Sequence, residues 1–404
     1  MYGVQATNML IPLLTFPYLV RTIGIERFGL LNYVASVLQI AVAITAFGFN
    51  FTSTQEVTNN RTNPQELQRI YSVTTTLKLG LMFATCAATL AISQFVSTLR
   101  SELPLVLGWS LLVVGEALVP TWFFVGMQRV VILTQLNFVS RVVGAGMLFL
   151  LVRRPSDYAV AAAVQALPAV FAGVLSHWVV RSKFGISYRL LTARDHWALL
   201  RRSSAAFVTS LPANVYLRGQ FIVLGSYATA TELGQFSVAQ RFVGMASTFV
   251  TPFGQTLFPH VCHTIEQGAA PTRRLRRTVV TVVAATTTLG ATAMAAMAPF
   301  LVQVVTGTDS ANTIFLLRIM CPLVPIISVG VMLHSFAMGY RRYTGVLVGY
   351  VIGALLFLAM ALSLTPRGGS TGMAITMVTV EAFILVAISV AARIPGESKG
   401  QLCK

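Results

Sequence analysis

Charged side chains are scarce in this sequence of 404 residues, and acidic ones are the scarcest. Asp, Glu, Lys and Arg make up 10% of the residues, whereas soluble domains carry about 25%. Hydrophobic residues account for 55%, and the mean hydropathy is +0.74. A chain with so few charges cannot cover itself with a polar surface, which excludes a soluble globule, and its hydrophobicity excludes disorder. The sequence indicates a protein that lies in lipid.

Signatures of catalysis and metal binding are also missing. The four cysteines are scattered without metal-type spacing and are expected to be unpaired thiols. No glycine-rich phosphate loop occurs, so no intrinsic ATPase is expected. The short predicted outer loops carry no paired carboxylates and no Ser/His constellation. We therefore expect no enzyme, no cofactor and no metal, and leave H+ or Na+ open as a coupling ion.

Twelve apolar stretches are long enough to cross a membrane, which requires about 20 residues each. They are residues 2–20, 30–49, 70–95, 105–125, 136–152, 158–180, 203–225, 235–258, 278–305, 312–337, 344–364 and 372–392. This pattern predicts an all-α polytopic membrane protein with about 12 transmembrane helices in two six-helix halves around a central cavity. The predicted domains are an N-terminal bundle over 1–180, a cytoplasmic amphipathic linker over 181–202, a C-terminal bundle over 203–392 and a cytoplasmic tail over 393–404.

The net charge of +17 is mostly an orientation signal. With the N-terminus inside, the predicted inner loops and tail hold eighteen basic residues and the outer loops hold six. Lys and Arg concentrate on the cytoplasmic side of membrane proteins. Both termini are therefore predicted to be cytoplasmic, and no nucleic-acid partner is expected.

The two halves echo each other at an offset of about 205 residues. The segment 28–34 parallels 233–239, Phe47-Gly48 parallels Phe253-Gly254, and 74–77 parallels 286–289. Prolines are predicted to interrupt span 1 at Pro12 and Pro17, and span 7 at Pro212. Broken helices at corresponding places in two repeats point to a transporter site, so we expect the cavity to be bordered by spans 1, 2, 7 and 8.

Five basic and two acidic residues fall inside the predicted spans, where each charge costs at least about 2.5 to 3.5 kcal/mol near the bilayer centre. The predicted head-group ligands are, in order, Arg218, Lys78, Arg141, Arg241 and Arg318. The last three could instead snorkel to an interface. Glu116 and Glu381 either pair with a nearby cation or titrate during ion coupling. The predicted polar and helix-breaking residues of the cavity are Asn8, Pro12, Pro17, Asn32, Gln39, Pro212, Asn214, Gln220, Gln235 and Gln240.

Two segments resemble a known family. Residues 12–24 (PLLTFPYLVRTIG) followed by Phe28-Gly29, and residues 120–129 (PTWFFVGMQR), are similar to segments of Wzx-type polysaccharide flippases of the multidrug/oligosaccharidyl-lipid/polysaccharide exporter superfamily. Val125 and Gln128 depart from that pattern, since relatives often carry Gln and an acidic residue there. Relatives also usually have a short basic leader before span 1, so the N-terminus is expected to be clipped.

The resemblance implies a function. The protein would translocate an undecaprenyl-pyrophosphate-linked oligosaccharide from the cytoplasmic to the outer face of the bacterial inner membrane, by alternating access, for the synthesis of a surface polysaccharide such as O-antigen or exopolysaccharide. Membrane lipid would surround it, and a polysaccharide polymerase and chain-length machinery would be its partners.

Two exporters of the same superfamily remain as alternatives. A cation-coupled drug or metabolite antiporter usually carries cationic substrates, which the excess of membrane arginines disfavours. A peptidoglycan-precursor flippase would, by resemblance, have two further C-terminal spans.

Overall fold

The structure, a computed structural model, describes residues 2–189 and 193–392, without the side chains of residues 2–10, 213, 251 and 255. These ranges are helical throughout, with no strand among them. Contacts divide the chain into two compact units, unit 1 up to Arg218 and unit 2 from Gly219.

Unit 1 holds the first nine α-helices and most of the tenth. They are α1 Tyr2–Ile23, α2 Ile25–Ala46, α3 Phe49–Asn59, α4 Pro64–Phe95, α5 Ser97–Ser101, α6 Leu103–Leu118, α7 Thr121–Gly126, α8 Val130–Leu151, α9 Tyr158–Phe184 and α10 Ala193–Tyr227, with a 3-10 turn at Pro155–Asp157. The helix α6 packs against α2, α4 and α9. A Cβ on Gly115 would lie 2.4 Å from Ala169 of α9, so small residues permit this close approach.

Unit 2 holds the remaining helices. They are α11 Ala230–Thr248, α12 Thr251–Glu266, α13 Ala269–Ala296, α14 Ala298–Thr306, α15 Ala311–Met320, α16 Leu323–Gly339 and α17 Tyr343–Ala391. The helix α16 packs against α12, α13 and α17, and α11 packs against α15. Gly369 (φ 52°) kinks α17 into two arms, 343–368 and 370–391. This kink lies in the connection that the sequence predicts between spans 11 and 12.

Each predicted span coincides with one helical segment, so the all-α polytopic fold with two six-helix halves is confirmed. Eight helical stretches among the described residues are long and apolar enough to cross a membrane, and α17 supplies two of the predicted spans. Those eight do not include α10 or the pair α11 and α12. These helices correspond to spans 7 and 8, which carry Arg218 and Arg241.

The internal repeat is present in the helix order. The helix α2 begins at Ile25 and α11 at Ala230, while α4 begins at Pro64 and α13 at Ala269, so both offsets are 205 residues. The proposed match of 74–77 with 286–289 has an offset of 212 residues and does not agree with these helices.

The helix breaks lie elsewhere than predicted. Both α1 and α10 continue through their prolines, so Pro12, Pro17 and Pro212 do not interrupt them. The breaks occur at corresponding places in spans 2 and 8, at Phe47-Gly48 and Phe249-Val250. Spans 4 and 10 also break, at Val119-Pro120 and Cys321-Pro322. In the latter pair, proline removes the backbone donor that would continue the helix.

Candidate functional site: charged groups inside the helical units

Lys78 is the most deeply buried cation of unit 1, with 1% of its surface exposed. Its Nζ lies 3.6 Å from Oε1 of Glu116 and donates a hydrogen bond to the carbonyl of Val119 at 3.2 Å. That carbonyl lies at the break between α6 and α7. A buried charge needs a partner and hydrogen bonds, and Lys78 obtains both. The pairing of Glu116 with a cation was one of the two sequence-based interpretations.

A second polar pair lies beside Lys78. The hydroxyl of Tyr71 is hydrogen-bonded to Nδ1 of His177, and this histidine also feels the charge of Lys78. Sequence reasoning assigned His177 to an interfacial aromatic belt. The signal that could have found the pair is the shared depth of Tyr71, Lys78 and His177 in adjacent spans.

The aromatic motif at residues 120–129 forms the core around these groups. Trp122, Phe123 and Phe124 are fully buried, and the ring of Tyr71 contacts the first two. Nε of Arg61 donates to the carbonyl of Gly126 at 2.6 Å, which closes the end of α7. The motif therefore anchors α7 within unit 1.

Arg218 lies on α10, at the end of unit 1. Its side chain is half-buried, and its Nε is buried without a hydrogen-bond partner among the described residues. On the same helix, Asn214 donates to the carbonyl of Ser210 at 3.0 Å. Arg218 thus keeps a donor directed into the protein that no described group accepts.

Arg241 lies on α11 of unit 2 with its side chain exposed. It forms no ion pair with any residue that the structure describes, and the buried Oε1 of the neighbouring Gln240 likewise lacks a described hydrogen-bond partner. Gln235, one turn earlier, is bonded to Ser310 and Asn312 of the α15 end. Polar groups therefore line α11 over two turns.

The other two basic residues of the spans differ from Arg218. Arg318 is exposed, and its Nε donates to the carbonyl of Ala295 at 3.3 Å, near the end of α13. Arg141 is exposed on α8. The helix-end contact of Arg318 agrees with the alternative of an interfacial position.

The remaining predicted residues are distributed over both units. Glu381 is half-buried on the second arm of α17 and interacts electrostatically with Tyr350 of the first arm. Asn32 donates to the carbonyl of Phe28 at 2.8 Å, and Gln39 is half-buried on the same helix α2. The side chain of Asn8 lies outside the described residues.

Charged residues clamp the connection between α9 and α10 onto unit 1. Nη2 of Arg69 on α4 lies 2.6 Å from Asp195, and Nη1 of Arg202 lies 3.0 Å from Glu56 on α3. The hydrogen bond from Arg69 to Asp195 raises the pKa of Arg69. Between these two pairs, Leu199 packs into a core with Phe49 and Val73. The start of α10 therefore fills the cleft between α3 and α4.

Sequence comparisons extend over most of the chain. The family described as "Polysaccharide biosynthesis protein" matches residues 1–264. A protein of Escherichia coli (strain K12) described as "Putative O-antigen transporter" is 25% identical over 382 residues, which cover 94% of this chain and 92% of that protein. A protein of Shigella dysenteriae with the same description is 22% identical over 387 residues, which cover 96% of each.

Solved structures share the fold at low identity. The structure described as "Lipid II flippase MurJ, inward closed conformation" superposes with a TM-score of 0.74 at 10% identity and covers 96% of this chain and 87% of its own. An inward-facing multidrug resistance MATE family transporter of the MOP superfamily gives a TM-score of 0.68 at 13% identity, covering 95% and 96%.

These matches confirm the resemblance that the two sequence motifs indicated, and all of these proteins are described as transporters or flippases rather than enzymes. The family match spans more than half of the chain. The chain belongs to the polysaccharide biosynthesis protein family and is a multi-pass membrane transporter of the flippase type.

Proposed function

We propose that the protein translocates an undecaprenyl-pyrophosphate-linked oligosaccharide from the cytoplasmic to the outer face of the bacterial inner membrane. The two units would alternate the access of a central cavity, with both termini in the cytoplasm. Membership of the polysaccharide biosynthesis family and the O-antigen transporter relatives support this class of cargo.

The observation that carries the proposal is the state of two membrane arginines. Lys78 is neutralised by Glu116, whereas Arg218 and Arg241 have no ion-pair partner among the described residues. Unpaired cations at membrane depth are costly, so a doubly anionic cargo that pairs with them is favoured. Arginine suits this role because its guanidinium binds phosphate oxygens in a fork. A cationic drug would meet repulsion at the same positions.

The coupling ion of the cycle is proposed to be H+ or Na+. Because Glu116 already pairs with Lys78, Glu381 is the more suitable group to release and bind it. Transport into membrane vesicles with each gradient collapsed in turn would identify the ion, and transport that survives the loss of both would reject ion coupling.

The experiment that tests the cargo assignment replaces Arg218. We expect Arg218→Ala to abolish surface polysaccharide in a flippase-null strain while its membrane level stays normal, and Arg218→Lys to restore part of it because a single charge remains. Arg100→Ala is the matched control, since Arg100 is exposed on α5 and outside the spans. Wild-type surface polysaccharide in Arg218→Ala would reject the role of this arginine.

A further inference from the structure

Unit 2 contains an open cleft between α12, α13 and α16. Its volume is about 580 Å³, within the range of about 300 to 1,000 Å³ that is usual for ligand sites. Its apolar walls include Val250, Phe253, Leu257, Val282, Val283 and Met332.

The threonines of the cleft add little polarity. The hydroxyl of Thr286 donates to the carbonyl of Val282 at 2.8 Å, and that of Thr287 donates to the carbonyl of Val283 at 2.5 Å. Each hydroxyl is therefore satisfied within α13. The surface that remains for an occupant is hydrocarbon.

The corresponding cleft of unit 1 is already filled. It lies between α3 and α4, where Leu199 of α10 packs against Phe49 and Val73. Phe207 of α10 stacks on Phe47 with ring centroids 4.6 Å apart. The repeated architecture thus provides two related clefts, one occupied by a helix of the chain and one open.

The correspondence between the two clefts can be made residue by residue. A Cβ on Gly126 would meet Val57 of α3, and a Cβ on Gly339 would meet Val261 of α12. These contacts equate Val57 with Val261 and hence the preceding residues, Glu56 and His260. The common start of α4 and α13 likewise equates Arg69 with Arg274.

The rims of the two clefts carry different charges. In unit 1, Glu56 and Arg69 pair with Arg202 and Asp195 of the helix that fills the cleft. In unit 2 both equivalent positions, His260 and Arg274, are basic residues, so the acidic member is missing. The open cleft therefore favours an anionic occupant.

Arg274 is placed to bind the anionic group. Arg274, Thr278, Val282 and Thr286 follow one another at intervals of four residues and so form one ridge of α13. The side chain of Arg274 is exposed, and no hydrogen bond or ion pair joins it to any residue that the structure describes. An anion at Arg274 would continue directly into the apolar cleft.

The length of the cleft identifies the apolar part. From Thr278 to Thr287, at 1.5 Å per residue, the cleft extends about 14 Å along α13. The hydrocarbon core of a bilayer is about 30 Å thick, so the cleft matches the acyl chains of one leaflet. A long polyprenyl chain would extend beyond it.

We propose that the cleft between α12, α13 and α16 binds an anionic phospholipid, with its phosphate at Arg274 and its acyl chains between α12 and α13. The orientation from positive charge places this lipid in the cytoplasmic leaflet. The proposal does not depend on the identity of the transported cargo.

The test measures lipid binding to the purified full-length protein by native mass spectrometry, with phosphatidylglycerol and phosphatidylcholine as probes. We expect phosphatidylglycerol to bind at least about threefold more tightly, and Arg274→Gln to remove that preference. Val282→Trp should weaken phosphatidylglycerol binding by filling the cleft. The matched controls are Arg277→Gln, which removes a charge of the same run beside the ridge, and Leu289→Trp, which adds the same bulk outside the cleft.

Three results would overturn the proposal. The first is equal binding of the two phospholipids to the unmodified protein. The second is a loss of phosphatidylglycerol in Arg277→Gln as large as in Arg274→Gln, which would indicate a diffuse attraction. The third is tighter binding of undecaprenyl phosphate, lost in Val282→Trp, which would assign the cleft to the cargo lipid instead.

Discussion

At the scale of single residues, burial separates the membrane charges into different roles. Lys78 is enclosed, with its charge balanced by Glu116 and its ammonium bound to the carbonyl of Val119. Arg318 contacts a helix end, and Arg218 keeps a buried donor without a described partner. The sequence places all of these charges at membrane depth, but it cannot distinguish them, because their roles depend on groups more than twenty residues away in the chain.

The pairing of Lys78 leads to a stability prediction. Glu116→Gln should lower the free energy of unfolding by about 1 to 3 kcal/mol, because it leaves the enclosed ammonium without its counter-charge. The double variant Lys78→Met/Glu116→Gln should recover most of that loss, since no charge then remains. Thermal unfolding of the purified variants in detergent measures both. A Glu116→Gln variant as stable as the unmodified protein would show that the ion pair does not stabilise unit 1.

At the scale of helices, the sequence predicts where the spans lie better than where they break. Proline suggested breaks in spans 1 and 7, but α1 and α10 continue through Pro12, Pro17 and Pro212. A proline within a helix removes one backbone hydrogen bond, and packing against neighbouring helices can compensate for that loss. The break at Phe47-Gly48 has a different cause, because α10 approaches the backbone there and leaves no room for a side chain.

Gly48 therefore provides a test of the contact between α10 and the cleft of unit 1. Its φ is +76°, and a Cβ would lie 2.9 Å from the Ser203 carbonyl oxygen and the backbone of Phe207. Gly48→Ala should destabilise the protein by about 1 to 3 kcal/mol through strain and the displacement of α10.

The matched control for Gly48→Ala is Gly80→Ala in the interior of α4. A Cβ there meets nothing within 4 Å, and replacing a helical glycine by alanine should stabilise by about 0.5 to 1 kcal/mol. Apparent Tm values of the two variants should therefore move in opposite directions. A neutral or stabilising effect of Gly48→Ala would contradict the close contact with α10.

At the scale of the whole molecule, hydropathy and the repeat predicted the architecture well. Each of the twelve spans corresponds to a helical segment, and the helix starts at 25, 64, 230 and 269 reproduce the repeat of 205 residues. What the sequence could not provide is the filling of one cleft and the opening of its counterpart. That difference depends on the start of α10, whose Leu199 and Phe207 pack onto α3 and α4 although their sequence has no special signal.

The proposed orientation is tested by labelling in cells. In a cysteine-free variant, Ser156→Cys in the predicted outer loop should react with a membrane-impermeant maleimide added outside. Gln267→Cys, between α12 and α13, should react only after permeabilisation. Both positions are exposed, so access to the label depends on the membrane side. The reverse pattern would place the termini outside.

The transport of a lipid-linked glycan is the central claim, and the distribution of that lipid across the inner membrane tests it most directly. The measurement compares the cytoplasmic-face pool of lipid-linked oligosaccharide in the native bacterium, in a deletion strain and after re-expression. We predict that the pool rises on deletion and returns to normal with the unmodified protein but not with Arg218→Ala. An unchanged pool in the deletion strain, with normal surface polysaccharide, would contradict the account.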